Sequence, residues 1–399
     1  MPLDSISLPY GSLTVILIGL LAGYIGAEIA PVALIERMLW PQRSSNGVNA
    51  GSLKNALFLS AGGPLHRVAI QAMDAFFKHG LHKGAGRGHL LGTAFFPDTG
   101  IPYKLHQGNG KPTENELVRN GLPVRILQSM LDTSALAKQS KEVATMRQQI
   151  TVSHLELFNF DNVPPQGAIA LDAAATNSQT IITLLASELP SFILAGFVGY
   201  LWSVPAGLFY LLPVVLKIFS ACTAIQREDL IISSEKLKGE WQDATEVSKF
   251  EIHIPGEGFQ VISGPSELTL PFFRHYGHPI RCRWRELTQM AIVAATGFTY
   301  PITLAITVFL MPLQVQALWA AFQIYLIFAM LAVRYGGGEL WGTTEERIAQ
   351  ALLRTEKEGK GGMIVLKNRT GELMGAKLTR TLHGSYTDGK AQVSRIVGN

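Results

Sequence analysis

The sequence predicts an α-helical integral membrane protein with five transmembrane helices, one single span plus two helical hairpins, and mixed α/β cytosolic segments. Three observations carry that reading. Two long apolar runs, 180–225 and 288–333, are each about twice the roughly 20 residues that a membrane-crossing helix needs. The first holds only Glu188 and Lys217 as charged residues and the second holds none. Each has a proline near its middle, Pro205 and Pro312, where a helix can stop and turn back. Finally, charged residues make up 16% of the chain, against about 25% in soluble domains, and the shortfall is concentrated in the apolar runs.

Residues 1–12 form a short external arm without Lys or Arg. The first span follows at 13–35, apolar except for Glu28. It has no basic n-region and is longer than a secretory h-region, so a retained helix is expected rather than a cleaved signal. The segment 36–179 is polar and reads as mainly helical. Within 64–82, Leu65, Val68, Ala69, Ala72, Met73 and Phe76 recur at intervals of three and four, the pattern of an amphipathic helix. Such a helix packs on its own domain or lies on the membrane surface. Thr113 and Glu116 have capping-box spacing, with Pro123 to stop the helix they would start.

The first hairpin, 180–225, divides into spans at 180–202 and 204–225. The cytosolic segment 226–287 contains two stretches, 250–254 and 259–262, that alternate apolar with polar around Pro255-Gly256-Glu257-Gly258, a β-hairpin pattern. The second hairpin, 288–333, divides at 288–311 and 313–333. The tail 334–399 opens with a triple glycine, continues with a helix over 344–356 capped by Thr343 and Glu346, and ends with a second β-hairpin over 363–378. Its turn contains Asn368-Arg369-Thr370, a glycosylation pattern expected to stay unmodified on the cytosolic side.

Orientation follows from the basic residues. The N-terminal arm and hairpin tips contain no Lys or Arg, whereas the three long polar segments contain all 34 except Lys217. Cytoplasmic flanks carry the positive excess, which puts the N-terminus outside and the C-terminus in the cytosol. With so little chain outside, the expected partners are the lipid bilayer, anionic lipid headgroups and cytosolic proteins. The membrane itself is not specified.

Three ionisable residues fall inside spans: Glu28, Glu188 and Lys217. A buried charge at such a position is costly unless paired, so two acids and one base at a common depth suggest an intramembrane charge cluster. The tight turn of the first hairpin makes Glu188 and Lys217 neighbours. The cluster reads as a clamp between spans or, alternatively, as a site for solute or proton-coupled transport. Arg281, Arg283 and Arg285 at the entrance of the second hairpin suit anionic headgroups, and Cys282 among them is a candidate for lipidation. His79 and His82, and likewise His275 and His278, are spaced H-x-x-H. Histidine is a common metal ligand, so a histidine-cluster metalloenzyme is a further alternative, though weakly specified. Gly84-Ala85-Gly86-Arg87-Gly88 lacks the Lys-Ser/Thr ending of a phosphate loop. No cofactor is expected, and no nucleic-acid motif is present. The reading that remains is a non-catalytic scaffold or accessory subunit presenting cytosolic surfaces.

Overall fold

The computed structural model describes residues 10–30, 35, 53, 57, 64–80, 90–91, 100–107, 116–118, 126, 150–160, 169–170, 178–226, 247–254, 258–275, 280–335, 344–357, 362–367 and 372–398. The chain divides into two compact units. One comprises Met1–Phe95, Ala174–Ile225 and Arg281–Gly342; the other comprises Phe96–Ala173, Gln226–Ile280 and Thr343–Asn399.

The first unit is helical. Its described elements are α1 (Tyr10–Ile29), α2 (His66–His79), α3 (Ser178–Leu201), α4 (Val204–Cys222), α5 (Arg283–Leu310) and α6 (Leu313–Tyr335). Among the described residues, four runs are long and apolar enough to cross a membrane: Gly11–Ile29, Val204–Cys222, Arg283–Leu310 and Leu313–Ala332. Helix α3 has 24 residues, and among the described residues its apolar run is Glu188–Leu201. The crossing expected at 180–202 corresponds to α3.

Sequence chemistry sets the ends of these helices. α1 stops at Ile29, short of the expected end at 35, because Pro31 disfavours helical geometry at the residue before it. Between α3 and α4 the chain turns at Trp202 and Ser203. Ser203 caps α4 by accepting from the Ala206 amide at 3.4 Å, and Pro205 occupies the first turn, where its missing N–H costs nothing. α5 starts at Arg283, earlier than expected, so its 28 residues extend about 42 Å, beyond the roughly 30 Å of a hydrocarbon core.

Helix α2 is the amphipathic element expected over 64–82. Leu65, Val68, Ala69, Ala72 and Phe76 are buried, and the helix packs inside its own unit, chiefly on α5 and also on α1. Its polar face, with Arg67 and Lys78, stays exposed.

The second unit is built on one mixed sheet of eight strands, in spatial order β2-β1-β5-β6-β3-β8-β7-β4. The strands are β1 (Pro102–Gln107), β2 (Glu116–Leu117), β3 (Ile150–Asn159), β4 (Ile169–Ala170), β5 (Val247–Ile254), β6 (Gly258–Pro265), β7 (Met363–Lys367) and β8 (Leu373–His383). β5–β6 and β7–β8 are the two antiparallel hairpins expected from alternation, with Phe250 opposite Ile262 and Val365 opposite Gly375. The connecting residues 255–257 and 368–371 lie outside the described residues. Strand β3 joins the hairpins, running parallel to β6 and antiparallel to β8. Gly258, which opens β6, has φ +123°, and a Cβ there would stand 2.1 Å from the Thr151 carbonyl oxygen, so only glycine lets the two strands meet.

Both faces of the sheet are covered. On one, Leu155, Phe250, Ile262 and Leu366 form a core with Ile348 and Leu352 of α7 (Thr344–Lys357) and with Phe272 and Phe273. These phenylalanines come from the short helical segment after β6, and Phe273 stacks on Phe250 at 4.1 Å. On the other face, Val152, Phe259 and Val261 pack with Val393 of α8 (Tyr386–Gly398). Lys249 donates to the carbonyls of Ile396 and Val397 at 3.0 and 3.1 Å, a cation on the negative end of α8.

Of the segment 36–179, expected to be mainly helical, the described residues form α2 in the first unit and β1 to β4 in the second. Glu116, expected in a helix, lies in β2 opposite Tyr103 and accepts from its hydroxyl. Tertiary pairing with β1 overrides a capping pattern that is only local.

Candidate functional site: a buried ion pair and polar belt

Helices α3 and α4 approach each other closely because Gly207 has no side chain. A Cβ there would lie 2.3 Å from the Ala195 carbonyl oxygen and 2.9 Å from the Gly199 nitrogen. That approach brings Glu188 of α3 against Lys217 of α4, and the Lys217 ammonium donates to Glu188 Oε1. Lys217 is 1% exposed and Glu188 3%. Two isolated ions in such a setting would each cost several kcal/mol; together they offset that cost. The arrangement is an apolar bundle pinned at one point between two neighbouring helices.

One turn beyond Lys217, a polar belt ties α4 to α5. Ser220 donates to Gln289 Oε1 at 3.2 Å, and Gln289 Nε2 returns bonds to the Ser220 carbonyl at 3.1 Å and to Thr223 Oγ1 at 3.3 Å. Glu286, wholly buried, accepts from Arg283 at 3.0 Å and from the Leu90 amide at 3.2 Å. Arg285 donates to the Ala224 carbonyl at 2.8 Å, beyond the end of α4. Glu286, Gln289, Val293, Thr296 and Tyr300 lie along the buried face of α5 at helical spacing. That stripe is the signal by which Glu286 and Gln289 are findable in sequence.

The structure does not bring Glu28 to the Lys217 pair. Glu28 pairs with Arg67 of α2, and the two side chains are 50% and 46% exposed. The reason is packing: α1 lies against α6, α5 and α2. Arg334 of α6 further donates to the Ile29 carbonyl at 2.9 Å, satisfying the end of α1. The three-charge cluster is thus corrected to one buried pair and one separate, half-exposed pair.

Of the arginines expected to face headgroups, Arg281 is exposed, but Arg283 and Arg285 are half-buried and turn inward to Glu286 and Ala224. Cys282 is a half-buried free thiol at the N-cap of α5. The metal alternative rests on four histidines whose side chains all lie outside the described residues. Among the described residues, no group of three His, Cys, Asp or Glu side chains is placed to hold a metal ion.

In the sheet unit, His154 of β3 and Ser263 of β6 are hydrogen-bonded at 2.7 Å. Burial pushes the His154 imidazole below its ordinary value. Glu156 opposes that effect, and Lys249 and Lys377 add to it.

No family model matches the chain, and no curated protein or solved structure matches it either.

Proposed function

We propose that this chain is a five-span membrane protein, N-terminus outside and C-terminus cytosolic, serving as a non-catalytic scaffold or accessory subunit. Its spans tether a folded cytosolic sheet unit to the bilayer for protein partners. One observation carries the reading: three segments separated in sequence by the apolar hairpins fold into a single sheet. A hydrogen-bonded sheet cannot be divided by a bilayer, whose core satisfies no open backbone group. The segments 96–173, 226–280 and 343–399 therefore belong on one side, and each intervening hairpin crosses an even number of times. That parity supports counting α3 as a crossing. It also agrees with the distribution of Lys and Arg.

The scaffold reading draws on the state of the buried charges. A transport site needs solvent access, whereas Glu188 and Lys217 are 3% and 1% exposed and bonded to each other. The same pair motivates the second reading, solute or proton transport, and reconstitution separates the two. In proteoliposomes with an imposed pH gradient, the scaffold reading expects dissipation no faster than in empty vesicles. A faster flux abolished by Lys217→Leu overturns it. Topology is tested by Ser203→Cys in a Cys222→Ser, Cys282→Ser background. Membrane-impermeant thiol reagents should label it from the non-cytosolic side of sealed membranes, and labelling only from the cytosolic side refutes the orientation.

A further inference from the structure

Between α4, α5 and α6 the bundle holds a partly open cavity of about 30 Å³, lined by Tyr210, Thr299, Thr303, Thr307, Phe322 and Gln323 among others. On the same measure of volume a water molecule needs roughly 10–15 Å³, so the space suits one or two waters. Tyr210 and Gln323 are each more than nine-tenths buried. The Tyr210 hydroxyl and the Gln323 side-chain carbonyl oxygen have no hydrogen-bond partner among the described residues. Buried polar atoms of this kind are almost always satisfied, by protein or by ordered water.

The wall is chemically suited to a water. The Thr299 and Thr303 hydroxyls donate to the Ala295 and Tyr300 carbonyls of their own helix, at 2.8 and 2.9 Å, which leaves their lone pairs free to accept. Tyr210 supplies a donor and Gln323 an acceptor. A water accepting from Tyr210 and donating to Gln323 and to a threonine oxygen makes the three bonds typical of a buried site. We propose that this cavity is an internal water site of the helix bundle. It is distinct from the ion pair, because Val214 lies between Tyr210 and Lys217 on the buried stripe of α4.

X-ray radiolytic footprinting in H₂¹⁸O, with the protein in nanodiscs, tests this directly. Radiolysis of a bound water releases hydroxyl radical in place, so side chains beside it acquire ¹⁸O even when shielded from bulk solvent. Tyr210 and Phe322 should label several-fold faster than Tyr300, which is equally buried (6%) but lies outside the cavity lining, with its hydroxyl on the Gly19 carbonyl. Met330, 1% exposed and also outside the lining, is a second and chemically more reactive control. Tyr210→Phe and Gln323→Leu should each lower Phe322 labelling several-fold. If Tyr210 and Phe322 label no faster than Tyr300 in the wild-type protein, lipid or side chains fill the space and the proposal fails. Phe322 labelling unchanged by both variants also overturns it. The wild-type comparison decides alone if either variant fails to fold.

Discussion

Replacing Lys217 by leucine removes the ammonium that bonds Glu188 while leaving that acid in an apolar core. Breaking one side of a buried pair typically costs about 3–5 kcal/mol. An independent route gives the same size. A carboxylate that loses its buried cation avoids being an ion in an apolar core by taking up a proton. At pH 7 this costs about 1.4 kcal/mol for each pH unit above its ordinary titration point near 4.3, about 3.7 kcal/mol in all. The variant's penalty should therefore shrink by about 1.4 kcal/mol for each pH unit of acidification below 7. Glu188→Leu, which removes the carboxylate bonded to the ammonium, should behave oppositely: about 4.6 kcal/mol at pH 7, diminishing as pH rises toward 10.4. The double variant should recover most of the loss, since apolar replacement of a buried pair is often neutral or better. SDS-driven unfolding in mixed micelles at pH 6, 7 and 8 reads all three. A penalty under about 1 kcal/mol for Lys217→Leu, or a double variant no more stable than the single, would show that the pair does not hold α3 to α4.

Other expectations concern the rest of the molecule. Gly207→Ala places a methyl against the backbone of α3, where no rotamer relieves the overlap, and should cost roughly 1–3 kcal/mol in the same unfolding assay. Glu286→Ala removes the acceptor for Arg283 and the Leu90 amide; it should destabilise by roughly 2–4 kcal/mol and speed hydrogen exchange at Leu90, and unchanged exchange there refutes the contact. His154 binds its proton less readily folded than unfolded. The stability it contributes is therefore full above about pH 6.5 and declines as pH falls below that point through its lowered folded value. His154→Gln should flatten the thermal stability of the sheet unit between pH 7.5 and 5.5, and matching slopes for variant and wild type would discount the residue.

How far such features show in the sequence depends on whether their cause is local. The β5–β6 and β7–β8 hairpins declare themselves because apolar and polar residues alternate on either side of a turn-rich linker. Glu188 and Lys217 are legible as a pair because the tight turn at Ser203 leaves their helices no other neighbour so near in sequence. Strand β3 is different. Val152 is buried on one face while Leu155 and Leu157 are buried on the other, and Ser153, His154 and Glu156 sit between them. Two covered faces erase the period-two signal that a half-exposed strand would show. Glu28 and Arg67 likewise meet only through the packing of α1 and α2 within the bundle, which no short-range pattern encodes.

The order of strands has a consequence for how the protein is made. β3 is translated about 220 residues before β8, its antiparallel partner, and about 100 before β6. At roughly 5–20 residues per second, β8 leaves the ribosome about 11–44 seconds after β3. On the proposed topology both apolar hairpins enter the membrane during that interval; β3, with Leu155, Leu157 and Phe158, keeps both edges open until β6 emerges and its β8 edge open to the end, edges of the kind that invite aggregation. On that topology the sheet closes last, after both hairpins have inserted. A premature stop before β8 would exert its damage far upstream, by leaving one edge of β3 without its partner for the life of the chain.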